Sequence, residues 1–585
     1  MDVDRSNALN LSVVLGMNLF AQSLRTAIMA AFALGNSLAG DLPLHGHATG
    51  TVSHFPALTV DLPNPWWREA IQIPLGIASR TTGITADEAV VQSLSQSPDV
   101  QVLNVLPQIQ RTEITRQQAA FDGTNFLDTA WNDRSDPIGS TLTTGSAGGR
   151  YQDQLMSTAG GARKTTSSGA EISAAERFGW EQNNSAFLVP NPQSTSRLEL
   201  TLTQPLLAGR GEAYNLRRVV EAKLVTEGSQ ANSVARVQEY LLSVHERYWE
   251  LYRTRAIFIQ RKRAADRASQ LAESLVQRAK LDTTSRQLMR SRTAAAQQKA
   301  ELMLAASAAD MASIDLRRLL GVMDMESELI PMQSPAISIQ PIDAAIAIQT
   351  ALSKRAEIDA AVREIRIASV RLGASKNELM PRLNLIAGAY VAGLTPNTSF
   401  GNAFGQQFSE GRPTYNVGMA WERPAGNRAA RSTQHRRQLE LQKAMSQYES
   451  AVQDVRRDVE VALHQVHLTF RSLQQRHESL AASNAEANFL FDRWNTSPGN
   501  DGPVILLLED LISAQSRLAD EENATVIAET NHALAQVRYL KAVGTLIQSR
   551  CAVDTSAVLD ALPVPAGEMI QSEVMDVPAP TGDQP

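Results

Sequence analysis

Leu198-Glu199-Leu200-Thr201-Leu202-Thr203-Gln204-Pro205 alternates apolar and polar residues, then meets a proline and a glycine-bearing corner, and a long polar helix follows. The same plan returns at Val417-Gly418-Met419-Ala420-Trp421, followed by Pro424, Gly426 and a second long helix. The two prolines, and the pairs Arg217-Arg218 and Arg436-Arg437, stand 219 residues apart (205 to 424, 217 to 436). Downstream, Leu319-Leu320-Gly321 answers Ala542-Val543-Gly544 at an offset of 223 (321 to 544). A duplicated strand, corner, helix, turn, helix unit points to a repeat architecture. Neither copy carries the residue pattern of an enzyme.

Composition narrows the classes. The chain has 585 residues, 43% of them hydrophobic but only 5% aromatic, so its core is thin and seam-like. A net charge of −6 from 55 basic and 61 acidic residues gives no signature of nucleic-acid binding. Cys551 is the single cysteine, so neither a disulfide framework nor a cysteine zinc site forms within one chain. Near the start, Arg25 precedes the apolar run Ala27–Gly35 and the small residues Ser37-Leu38-Ala39-Gly40. A basic residue, a short apolar run and small residues predict a signal peptide over 1–39, cut after Ala39, with Met17 as an alternative start. No later stretch approaches the ~20 apolar residues a membrane helix needs.

Punctuation divides the rest. Residues 40–83 read as an extended leader anchored by Trp66-Trp67. The first repeat spans 84–330. A helix capped by Thr85 runs to Ser97, Pro98 and Pro107 bracket a break, and a second helix covers about 108–120. Strands are expected at about 124–132, ending in Trp131, and 197–204. The polar stretch 133–195 between them reads as a functional loop or disordered segment, with a further candidate strand at 170–180. Long helices follow at about 212–281 and 285–320. The second repeat spans 331–550, with helices at 341–353 and 355–379. Its strands at about 382–393 and 414–422 flank a loop, 394–413, and its long helices cover about 428–493 and 504–549. The tail 551–585, with its prolines and acids, reads as disordered.

Four strands of about ten residues have the length and alternation of tilted membrane strands. Trp131, Tyr390 and Trp421 near their ends suit interfacial girdles. Four strands cannot close a barrel, and open edges cannot sit in lipid with unpaired N–H and C=O groups. Spanning strands therefore require several chains to share one barrel, and three chains would supply twelve. The long helices agree. Val234, Val237, Leu241, Val244, Tyr248, Leu251, Leu271 and Leu275 form narrow apolar stripes suited to a wall one helix thick. An antiparallel coiled-coil rod explains the helices equally well, but not the strands.

These segments resemble the TolC family of outer-membrane efflux proteins over about 84–549. The carriers are Leu198–Leu207 (LELTLTQPLL), Pro381–Tyr390 (PRLNLIAGAY), Val417–Asn427 (VGMAWERPAGN), Leu507–Gln515 (LLEDLISAQ) and Tyr539–Gly544 (YLKAVG). The resemblance implies a mainly α fold with membrane β: a homotrimeric 12-stranded β-barrel in outer-membrane lipid, continued by a 12-helix α-barrel tunnel. It implies a passive exit duct of an efflux or type I secretion system, without catalysis or cofactor. The partners would be a periplasmic adaptor and an inner-membrane transporter. Pro205, Gly209, Pro424 and Gly426 would mark the strand-to-helix corners. The family gates the periplasmic end with paired aspartates. The first falls on Asp510, beside Glu509, and the second on Ser513, so one acid is missing; a ring of three Asp510 copies would attract cations. Adaptor-docking tips fall on Lys280, Leu281 and Asp282, with Lys280 where glycine is usual, and on a lengthened turn holding Gly499 and Gly502. The competing function is a soluble coiled-coil structural or adaptor protein of the cell envelope, without a channel.

Other constellations are weaker. Glu460, His464 and His467 share one helix face at metal-ligand spacing, yet the first copy lacks them near Tyr240 and Val244. Gly145 and Gly148-Gly149 lack the Lys-Ser/Thr of a phosphate loop. Arg261-Lys262-Arg263 reads as a solvated helix face.

Overall fold

The computed structural model describes residues 54–55, 64–75, 80–138, 144, 149–278, 285–322, 327–336, 342–496 and 502–547. The expected signal segment 1–39 and the tail 551–585 lie outside the described residues. The chain divides into two compact units, Met1–Phe55 and Pro56–Pro585. Of the first, only the two-residue strand His54–Phe55 is described, and all the remaining elements belong to the second.

In chain order its elements are α1 (Trp67–Ile71), β1 (Arg80–Ile84), α2 (Ala86–Gln96), α3 (Pro98–Gln118), β2 (Thr124–Pro137), β3 (Arg150–Thr165), β4 (Glu171–Asn183) and β5 (Gln193–Pro205). Next come α4 (Glu212–Asn215), α5 (Arg217–Arg278), α6 (Ser285–Leu320), β6 (Ser327–Pro331), α7 (Ala344–Lys354) and α8 (Ala356–Glu378). The series ends with β7 (Arg382–Pro396), α9 (Phe400–Ser409), β8 (Thr414–Glu422), α10 (Arg428–Thr496) and α11 (Gly502–Val543).

Local chemistry sets the boundaries. Thr85 and Glu88 form a reciprocal capping box, with Thr85 Oγ1 accepting from the Glu88 N–H at 3.2 Å and the Glu88 carboxylate accepting from the Thr85 N–H at 2.8 Å. The break expected at Pro107 does not occur, and α3 runs through it. One proline removes a single helical hydrogen bond, and packing of α3 along α5 outweighs that loss. The leader is not simply extended, since it holds α1 and β1, and β1 pairs in parallel with β6. Trp67 and Ile71 of α1 are fully buried in the main core with Leu241, Tyr248 and Tyr252 of α5. Arg255 ties leader and helix together. Its Nε donates to the Ile71 carbonyl at 2.8 Å, its Nη2 to the Ile73 carbonyl at 2.7 Å, and its Nη1 to Glu328 at 2.5 Å.

The long helices form staves. At ~1.5 Å per residue, the 62 residues of α5 and the 69 of α10 reach roughly 90–100 Å. Helix α5 lies between α6 and α11, and α10 packs on α11. Nearer the sheet, α3 and α8 lie along α5, and α8 also lies along α10. The stripe expected on α5 is buried at Val237, Leu241, Val244, Tyr248, Leu251, Leu271 and Leu275, while Val234 is exposed.

The sheet corrects the sequence reading. It has six strands, in the order β8-β7-β5-β4-β3-β2, and every neighbouring pair is antiparallel. Four strands per chain were expected. The polar stretch 133–195 supplies β3 and β4, each paired over its length, and extends β2 to Pro137. The loop 394–413 also contains a helix, α9.

Candidate functional site

Two corners join the sheet to the staves. After Pro205, the backbone reverses through Gly209 at φ +90° and Gly211 at φ +93°, values that L side chains adopt only with strain. The Gly209 N–H donates to Asn377 Oδ1 at 2.7 Å, and Asn215 Nδ2 donates back to the Gly209 carbonyl at 2.9 Å. In the second copy, Gly426 at φ +80° and Asn427 at φ +43° make the turn after Pro424, and Asn427 Nδ2 donates to the Leu379 carbonyl.

Register sorts the side chains of the sheet into two faces. Trp131 stands opposite Met156, and Met156 opposite Trp180. Leu200 stands opposite Ala389, and Ala389 opposite Tyr415. Following every pair, the exposed Leu127, Trp131, Ile172, Leu200, Leu202, Tyr415, Val417, Met419 and Trp421 all fall on one face. On β7 this apolar face runs from Leu383 to Val391, nine residues, about what a tilted strand needs to cross lipid. The other face is polar. Glu199 lies 3.6 Å from Arg177 and 3.9 Å from Arg197, and the Arg197 guanidinium covers the Tyr390 ring at 3.7 Å.

Trp131 and Trp421 share the apolar face, and Trp131 stacks on Trp180 with ring centroids 5.7 Å apart. Tyr390 corrects the expected girdle. It stands opposite Glu199 and Thr414, on the polar face. Helix α9 covers one part of the apolar face that would otherwise carry a bare carboxylate. Ser196 donates to Glu176 at 2.5 Å, Gln407 of α9 donates to Glu176 at 3.4 Å, and Phe400 and Phe404 pack on Phe178.

At the far end of the staves, Asp510 and Ser513 are exposed on one side of α11. Glu509 is turned toward α6 and pairs with Arg290 at 2.9 Å, so it does not join Asp510. Lys280, Leu281, Asp282 and Gly499 lie outside the described residues, and Gly502 is the first residue of α11. Glu460 is taken by Arg456 at 2.9 Å, and no group of three metal-ligating side chains forms among the described residues.

A buried polar seam along α10 and α11 escaped the sequence reading. His532 Nδ1 lies 3.1 Å from Thr469 Oγ1, and burial, then His467, pushes the imidazole down to about 4. Glu529, fully buried, pairs with Arg68 at 2.7 Å. Burial pushes the Glu522 carboxyl up, against the opposing hydrogen bond from Trp66. Acids and histidines at core spacing on a long helix were the available signal.

A sheet with one apolar face, four of whose six strands join long polar staves, defines a sheet-and-helical-wall class of fold. No protein-family model matches the chain, and no curated protein is similar to it in sequence. Solved structures are similar. The outer membrane protein VceC of Vibrio cholerae matches with a TM-score of 0.55 at 15% identity, over 78% of this chain and 96% of that one. CusC, described in terms of transmembrane channel formation, matches at 0.58 and 12%, over 84% and 100%. The open-state MtrE outer membrane channel of Neisseria gonorrhoeae matches at 0.55 and 15%, over 83% and 98%. The chain shares the overall fold of these structures, in line with its resemblance to the TolC family.

Proposed function

We propose that this chain is a subunit of an outer-membrane exit duct. Three copies close their sheets into one barrel in lipid and their staves into a periplasmic tunnel. The duct is passive, fed by an inner-membrane transporter through a periplasmic adaptor that docks at Lys280, Leu281 and Asp282 and at Gly499 and Gly502. The observation that carries this reading is the gathering of nine exposed large apolar side chains on one face of a sheet whose opposite face is polar. Lipid on one side and water on the other is the environment such a sheet fits. Its outermost strands, β2 and β8, each have one side without a strand neighbour among the described residues, which lipid forbids and a neighbouring copy resolves.

Asp510, exposed near the end of the tunnel, is the constriction residue in this reading. Ser513, at the second acidic position of the resemblance, supplies no charge, so the ring carries a single acid per chain.

Membrane fractionation, native mass measurement and planar-bilayer recording test the proposal together. Recovery in the outer membrane as a trimer with steady ion conductance is expected. A soluble periplasmic monomer without conductance would favour the coiled-coil structural reading instead.

A further inference from the structure

The four staves nearest the sheet lie in the order α3-α5-α8-α10. Each joins a strand: α3 leads into β2, β5 leads through α4 into α5, α8 leads into β7, and β8 leads into α10. The strands follow the same lateral order, except that β3 and β4 stand between β2 and β5 with no stave beneath them. They are full members of the wall. β3 pairs with β2 from Arg150 to Arg163, and β4 pairs with β5 from Glu171 to Glu181. Their side chains obey the same two faces, with Met156, Ile172 and Trp180 on the apolar side and Asp153, Arg177 and Glu181 on the polar side.

The turn between them is fixed to the strand-to-helix corner. Gly211 N–H donates to the Ser168 carbonyl at 3.1 Å, and Ser167 Oγ donates to Glu212 at 2.9 Å. A Cβ on Gly169 would stand 2.6 Å from the Gly209 carbonyl oxygen. The β3-β4 turn thus sits at the stave end of the sheet, and the hairpin runs up the wall and back.

We infer that the barrel of this duct is built from eighteen strands, six from each of three copies, above a tunnel of twelve staves. The inference rests on the trimeric duct reading and adds to it a wall half again as large as four strands per chain would give. Two observations support closure by further copies of this chain. An even number of antiparallel strands leaves β2 and β8 running in opposite directions, so β2 of one copy continues the alternation beside β8 of the next. Both edge strands are exposed nearly throughout, with apolar residues on the same face of the sheet.

The widths agree. Strands ~4.8 Å apart and tilted about 40° each take roughly 6.3 Å of rim, so four span about 25 Å and six about 38 Å. Four staves about 10 Å apart span roughly 40 Å. Around the ring this gives a backbone diameter of about 36 Å for eighteen strands, against about 24 Å for twelve.

Cryo-electron microscopy of the purified protein in lipid nanodiscs tests this by counting strands. Eighteen strands in a trimer, with β2 beside β8 of the next copy, is the expected result. A variant with residues 138–193 replaced by Asn-Gly turns β2 directly onto β5 and removes the hairpin; it should form a trimeric barrel of twelve strands, narrower by about a third. A wild-type trimer with twelve strands and β3-β4 outside the wall would overturn the inference and leave the duct reading standing. A wild-type monomer without conductance would overturn the duct reading, and the inference would fall with it.

Discussion

His532 is fully buried on α11, between Thr469 Oγ1 and Gln536 Nε2, with the Phe470 ring 5.5 Å away. An amide donor 2.9 Å from Nε2 makes that nitrogen the acceptor and leaves the proton on Nδ1, donating to Thr469. The folded imidazole resists protonation until about pH 4 because burial disfavours its charge, whereas the unfolded chain takes up its proton near 6.5. Between those values the unfolded state binds more protons, so this stability is whole above about 6.5 and lost as pH falls toward about 4. The gap is worth about 3 kcal/mol per chain. His532→Gln keeps polar contacts to both neighbours and removes the titration. Denaturant-unfolding midpoints of the variant should lose most of the slope between pH 6.5 and 4; an unaltered slope refutes this account. Arg255 is buried as one half of an ion pair. It and Glu328 are 3% and 6% exposed, so Arg255→Met strands a buried carboxylate and should cost about 3–5 kcal/mol. Adding Glu328→Leu should restore much of that in thermal unfolding. A double variant no more stable than the single would show that the carbonyl contacts to Ile71 and Ile73, not the ion pair, carry the effect.

Element by element, legibility followed the strength of the period. Strand β5 was plain because Leu198, Leu200 and Leu202 alternate with charged and hydroxyl residues. Strand β4 was half visible, since Ile172, Phe178 and Trp180 share a face but Glu176 interrupts it. Strand β3 was hidden. Its apolar side is Met156, Thr158, Gly160 and Ala162, small residues whose period only a paired neighbour reveals. Glu176 broke the pattern because α9 covers it, and α9 in turn was hidden by Gly401 and Gly405, which read as loop. The seat of α9 is narrow: a Cβ on Gly393 would stand 2.2 Å from the Ala403 carbonyl oxygen and 2.7 Å from the Gln407 nitrogen. Gly393→Ala should therefore lift α9 and raise hydrogen exchange across 400–409 by roughly tenfold, the response to a local loss of about 1.4 kcal/mol. Exchange equal to wild type would place the helix off the sheet. The staves show a period the sequence reading passed over. Ala444, Val455, Val466 and His477 of α10 are buried at steps of 11 residues, and such a stripe drifts only about 20° per step around a straight helix. That suits a long stave held to its neighbours along its length.

Across the whole molecule, the duplication holds at its ends as well as its corners. Gly321 and Gly544, paired by the offset of 223, both take left-handed conformations, at φ +72° and +78°. Each closes its stave with the same two bonds: Val322 to Arg317 and Gly321 to Arg318 in one copy, Thr545 to Leu540 and Gly544 to Lys541 in the other. The copies differ instead in the sheet, where the first carries the β3-β4 hairpin and the second carries α9. The proposed constriction belongs to this scale, because Asp510 becomes a ring only in the assembly. Its carboxylate is exposed, and its neighbour Glu509 is held by Arg290 on α6. The Glu509–Arg290 pair is itself half exposed, so its loss should change stability by only about 0–1 kcal/mol. Three carboxylates facing one narrow aqueous passage focus a negative potential and concentrate cations, most strongly those of high charge. Asp510→Asn keeps the size of the side chain and removes that potential. In planar bilayers the variant trimer should lose at least tenfold in affinity for a trivalent cation blocker and become less cation-selective. Arg290→Ala should leave the block within twofold of wild type. Equal block in wild type and Asp510→Asn would move the constriction away from this residue.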